Sequence, residues 1–135
     1  MTSTKNIIDQ ICETLDCSQR VVAGILDLSP HTLSGNREKP LDELTPRTKD
    51  RLSALYMIVR EFRSHRPDII YKILHMHVFE DINGNADSVV SALHQDKYEF
   101  ETLANIARMA LIKYEEESSA NESTVVEDVK KVLSA

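Results

Sequence analysis

An all-α protein is what this sequence predicts, on three observations. Among 135 residues there are only three Gly and four Pro, and no Trp, while 41% of residues are hydrophobic. Apolar residues recur at helical spacing along most of the chain. Ser29-Pro30 and Thr45-Pro46 each set a capping hydroxyl before a proline at the first helical position, where the missing N–H costs nothing.

The elements follow in order. Ile7, Ile8, Ile11 and Leu15 share one face and predict a helix over 4–15. Ser18 caps a second helix over 19–26, with Val22, Ala23 and Leu26 facing inward. Ser29-Pro30 opens a third, and Gly35 is expected to end it or loosen its last turn. NREKPLDE (36–43) reads as a loop. Thr45-Pro46 opens a long helix over 46–64, with Leu52, Leu55, Val59 and Phe62 as its core stripe and Tyr56 and Ile58 beside it. Pro67 marks a boundary, because the residue before a proline is driven out of helical geometry. IIYKILHMHVF (69–79) fits a buried helix or a strand rich in β-branched residues, and the preceding Pro-Asp favours helix. EDINGN (80–85) reads as a turn. A short helix follows over 86–94, with Val89, Val90 and Leu93 inward. Asp96 and Glu99 have capping-box spacing for another over 97–115, lined by Phe100, Leu103, Ala107, Ala110 and Tyr114. EEESSANES (115–123) reads as a polar linker. Val125, Val126, Val129, Val132 and Leu133 mark a last amphipathic helix, too short to be stable alone. Its apolar face could pack on this chain, on a sister chain or on another protein. The domains expected are 1–66, then a helical region over 67–116 for self-association or partner binding, then the linker and final helix over 117–135.

Charge divides along the same line. The chain carries 16 Lys and Arg against 22 Asp and Glu, a net charge of −6. Residues 1–66 hold ten basic and nine acidic side chains, and residues 67–135 hold six and thirteen. The first part is therefore near +1 and the second near −7. Phosphate binding needs a local positive face rather than a positive whole. The acidic part repels nucleic acid and suits a basic partner protein.

Other classes of function are not expected. No apolar run reaches the ~18 residues a membrane span needs, so no membrane partner is expected. MTSTKNIIDQ lacks a basic region followed by an apolar one, so no secretion signal is expected and a cytoplasmic location follows. Cys12 and Cys17 are the only cysteines. Two thiols do not complete a metal set, and they read as small half-buried side chains rather than a disulfide. The run Asp81, Asn83, Asn85, Asp87 misplaces the glycine of a calcium loop and has Ala92 where a bidentate Glu belongs. His75 and His77 diverge by about 200° on a helix and share no metal there. Asp27, Ser29 and His31 are too close on one turn to form a triad. No glycine-rich phosphate loop occurs. No enzyme activity, metal or cofactor is expected.

Residues 19–37 resemble the helix-turn-helix of Cro/cI-like, Xre-type regulators. That pattern has Gln at the start of the helix before the turn, Ala at the fifth position, a small turn, an apolar residue and Ser before the recognition helix. Here these are Gln19, Ala23, Asp27, Leu28 and Ser29, with Leu33 as the inward residue of the second helix. Asp27 stands where Gly is common, and Asp tolerates left-handed backbone better than most residues. The resemblance implies a lambda-repressor-like helix-turn-helix bundle that lays its second helix in the major groove of double-stranded DNA. His31, Thr32, Ser34, Asn36 and Arg37 are then the base-reading candidates, by hydrogen bonds and thymine-methyl contact. Gln19, Arg20, Lys39, Arg47, Lys49 and Arg51 are the phosphate candidates.

Residues 28–62 also resemble, loosely, the N-terminal part of Xre/MbcA/ParS-type antitoxins, through Ser29, Thr32, Leu33, Leu44, Thr45 and Arg51-Leu52. The family's central Trp is missing, and its terminal Tyr-Gly is replaced by Tyr114-Glu115. The resemblances imply a transcriptional repressor of bacterial or phage origin, bound as a homodimer to a two-fold operator. The alternative they leave open is an antitoxin-like or adaptor protein whose acidic C-terminal half neutralises a partner protein, a toxin or another regulator.

Overall fold

The computed structural model describes the backbone of residues 3–80, 86–96 and 99–134, and the side chains of 3–78, 88–96 and 99–118. It is all-helical apart from one two-residue β-bridge. The helices are α1 (Thr4–Leu15), α2 (Gln19–Ile25), α3 (Pro30–Arg37), α4 (Pro46–Glu61), α5 (Pro67–His75), α6 (Val89–His94) and α7 (Phe100–Ser134). The bridge pairs β1 (Phe79–Glu80) antiparallel with β2 (Ala86–Asp87), Phe79 opposite Asp87.

Hydroxyl side chains start most of the helices. Ser3, Ser18, Ser29, Thr45 and Ser88 each accept a hydrogen bond from the backbone N–H three residues on, at 3.0–3.4 Å. This satisfies a donor that the first helical turn leaves without a partner. Aspartates stop the helices. Asp16, Asp27 and Asp96 hold φ values of 49°, 57° and 61°, the left-handed conformation usually given to glycine. Left-handed backbone costs an L-residue about 1–2 kcal/mol, less for Asp, and Gly returns part of any gain as chain entropy. Asp16→Gly is therefore expected to raise stability by about 0.5 kcal/mol, read as a higher urea midpoint with unchanged slope.

One hydrophobic core joins the elements on both sides of Pro67. α1 packs on α4 and α5, α4 packs on α7, and α5 packs on α6 and α7. Ile8, Ile11, Leu26, Leu33, Leu55, Ile58, Ile73, Leu93 and Leu103 are all fully buried in it. The inward residues expected of the first two helices, Ile7 to Leu15 and Val22 to Leu26, lie in this core.

Several local expectations are corrected. Gly35 does not end α3 but lies in its last turn, and the helix runs on to Arg37 before Glu38 caps it at φ −84°. Within 36–43, Asn36 and Arg37 are helical and Leu41–Glu43 form a 3-10 turn. The stretch 69–79 is helical to His75 and extended after it, because the chain must turn into β1. The helix expected over 86–94 starts at Val89, with Ala86 and Asp87 in the bridge and Ser88 as cap. Asp96 and Glu99 form no capping box. Asp96 ends α6, and α7 starts at Phe100, with the Glu99 carbonyl accepting from the Leu103 N–H at 3.0 Å. The polar stretch 115–123 is not a linker but the middle of α7. Polarity does not break a helix. The sequence has neither Gly nor Pro beyond Asn85, so a helix nucleated by the buried Leu103–Ala110 stretch propagates without a stop. The turn expected over 80–85 lies outside the described residues except for Glu80, and the side chains of the apolar stripe Val125–Leu133 lie outside them too.

Candidate nucleic-acid interface

The α2–α3 corner is built by local rules. α2 closes with the Asp27 N–H on Gly24 O at 3.2 Å and the Leu28 N–H on Ala23 O at 2.8 Å. The left-handed Asp27 turns the chain, and Ser29 caps α3 two residues later. Ala23 has no accessible surface and leaves no bulk between the helices, while Leu26 and Leu33 fill the angle they make. Leu28 is half-buried against the same core. α3 thereby rests on α1 and α2.

Arg37 fastens the other end of α3. Its Nη1 donates to Gln19 Oε1 at 2.8 Å, and its Nη2 lies 2.9 Å from Asp9 Oδ1. Arg37 follows Leu33 by four residues, so it falls on the inward face of the helix. Both Gln19 and Arg37 are engaged in holding α3 on α1 and α2. Arg37→Ala is expected to lower stability by about 1 kcal/mol, a value reduced for partial solvent exposure, and chemical denaturation checks it.

The outward face of α3 carries His31, Thr32 and Ser34, all exposed, with Asn36 half-buried at its edge. The Thr32 hydroxyl accepts from Ser29 Oγ at 2.8 Å, which fixes its position without using its own proton. Arg20 and Lys39 flank this face, exposed and without an ion-pair partner among the described residues. Lys5, which sequence reasoning passed over, lines a surface groove of about 680 Å³ with Lys39 and Arg37, together with Ile7, Leu41 and the acidic Glu38 and Asp42. Its position in the first turn of α1 carries no motif, so only the packing of α1 beside α3 brings it there.

The remaining phosphate candidates have partners within the chain. Lys49 pairs with Asp42 at 3.1 Å, and Arg47 pairs with Asp96 at 2.7 Å. Arg51 is a buried residue, its side chain 3% exposed. It donates to Leu26 O at 3.0 Å, His94 O at 3.1 Å and Asp96 Oδ1 at 2.9 Å, with Asp27 Oδ2 at 3.8 Å. Its Nε has no hydrogen-bond partner among the described residues. Arg51 thus neutralises the carbonyl ends of α2 and α6, where a cation is favoured, and is removed from the phosphate candidates. Its spacing to Leu55 and Ile58 placed it on the core face of α4. His94 adds a second tie, its Nε2 lying 3.2 Å from Gly24 O and 3.0 Å from Ile25 O. Among the described residues, no three His, Cys, Asp or Glu side chains are grouped to hold a metal ion, and no helix is long and apolar enough to cross a membrane.

Compared with protein-family models, curated proteins and solved structures, the chain matches none.

Proposed function

We propose that this protein is a sequence-specific DNA-binding repressor whose α2–α3 pair acts as a helix-turn-helix. One observation carries the reading. α3 is anchored on its inner face by Leu33 and Arg37, and the face it leaves exposed bears compact hydrogen-bonding side chains, His31, Thr32 and Ser34. A helix presented so rigidly loses little freedom on entering a groove. His31, Thr32, Ser34 and Asn36 meet base edges, and Arg20, Lys39 and Lys5 meet phosphates on either side. A single such helix reads only a few base pairs, so the protein binds a two-fold operator as a dimer.

The test is selection of bound fragments from the host genome by the purified protein at two salt concentrations. A palindromic site whose binding weakens as salt rises supports the reading. Absence of enrichment at both salts overturns it. A second reading rests on the acidic half of the chain, −7 over residues 67–135. In it, the protein neutralises a basic partner through that half. A small basic protein that co-purifies, with no DNA enrichment, favours it.

A further inference from the structure

The end of α1 is a six-residue ring. The Asp16 N–H bonds to Glu13 O at 3.2 Å and the Cys17 N–H to Cys12 O at 3.0 Å, with Asp16 left-handed between them. This closure brings the side chains of its first and last residues together on one side, where an apolar pair is usual. Here both positions are cysteine. Both thiols are half-buried and free. A disulfide requires Cα atoms about 4.4–6.8 Å apart with converging Cβ atoms. The backbone hydrogen bond between these same two residues draws them together in that sense. Access is offered on the Cys17 side, where this partly exposed residue lines a surface groove of about 310 Å³ with Asp16, Val21, Pro67 and Tyr71.

We propose that Cys12 and Cys17 form a reversible dithiol–disulfide site that reacts with small exogenous disulfides. One cysteine thiolate attacks a sulfur of the small disulfide. A mixed disulfide forms, and one small thiolate leaves and takes up a proton. The second cysteine, as thiolate, attacks the protein-bound sulfur. The Cys12–Cys17 bond forms, the mixed disulfide breaks, and the second small thiolate leaves and is protonated. The protein loses two hydrogens and two electrons, and the small disulfide becomes two thiols. The new bond ties the last turn of α1 to the residue before Ser18, the cap of α2. It clamps the corner from which α2 and α3 project, and the site stands whether or not α3 reads DNA.

Burial pushes the Cys12 thiol up from its ordinary value and Cys17 up to about 11. Exchange is therefore slow near neutrality, and its rate climbs about tenfold per pH unit below those values. High thiol pKa values also make both sulfurs poor leaving groups, so the bond once formed resists reduction.

The experiment treats the full-length protein with oxidised glutathione at alkaline pH and reads intact mass, peptide maps and a non-reducing gel. The expected product is a monomer lighter by two hydrogens, with a Cys12–Cys17 linked peptide. Cys12→Ser and Cys17→Ser variants are each expected to hold a single glutathionyl group instead. Wild-type protein that accumulates two glutathionyl groups, or a disulfide-linked dimer, overturns the proposal. So does folded wild-type protein that stays unmodified when the same protein in urea reacts fully.

Discussion

Arg51→Met is expected to lower the free energy of unfolding by about 3 kcal/mol. The guanidinium donates to two backbone carbonyls, Leu26 O and His94 O, from a side chain only 3% exposed. Charge-assisted hydrogen bonds of this kind are worth about 1.5–3 kcal/mol each, and a carbonyl deprived of its donor in the interior pays for desolvation as well. The contact with Asp96 adds little, because that carboxylate is 46% exposed and also held by Arg47. Met keeps the volume and removes only the donors. Arg51→Lys restores the charge but not the planar fork that reaches three acceptors at once, so it is expected to recover less than half of the loss. Urea denaturation of the three proteins reads this directly. A loss under about 0.5 kcal/mol for Arg51→Met would show that the α2 and α6 ends find water instead. Arg47→Ala, an exposed partner of the same Asp96, is expected to cost under about 0.5 kcal/mol.

On an operator recovered by selection, His31→Ala and Ser34→Ala are expected to weaken binding by about 1–3 kcal/mol each and to relax base preference at the position each contacts. Arg20→Ala and Lys39→Ala are expected to act differently. Each should weaken operator and unrelated DNA alike and reduce the slope of log K against log salt by about 0.9, the signature of one lost phosphate contact. Titrations across a salt series with operator and scrambled duplexes separate the two classes. Equal losses on both duplexes from His31→Ala and Ser34→Ala would refute base reading by α3. Arg51 makes a useful contrast, since its guanidinium is buried. Its substitution should reduce binding only as far as it reduces the folded fraction.

Much of this architecture was legible in local sequence. Hydroxyl caps at Ser18, Ser29 and Thr45, proline at the first helical position and apolar spacing of three and four located α1 to α4 within a few residues. Those signals are local because caps and periodicity act within one or two turns. The α2–α3 corner was legible for the same reason, including Asp27 in the left-handed position. Where the sequence misled, competing local signals were equal in kind. Asp96 has the spacing of a capping box, yet tertiary contacts with Arg47 and Arg51 claim its carboxylate and it stops α6 instead of starting α7. The acidic stretch 115–123 has the composition of a linker, and helix propagation from the packed start of α7 overrides it.

By itself, then, the sequence determined an all-α chain with a rigidly capped helix pair at 19–37 and a near-neutral first half joined to an acidic second. Only the tertiary structure decided which cations remain available. Arg37 and Arg51 look like surface arginines in one dimension, but each sits four residues from a buried leucine on its own helix, Leu33 and Leu55. Burial of a guanidinium is tolerated only where carbonyls, an amide or carboxylates converge on it. Those partners, Asp9 and Gln19 for Arg37 and Leu26, His94 and Asp96 for Arg51, come from 18 to 45 residues away along the chain. No local pattern encodes a meeting at that separation, because it exists only once the helices that carry the partners have packed.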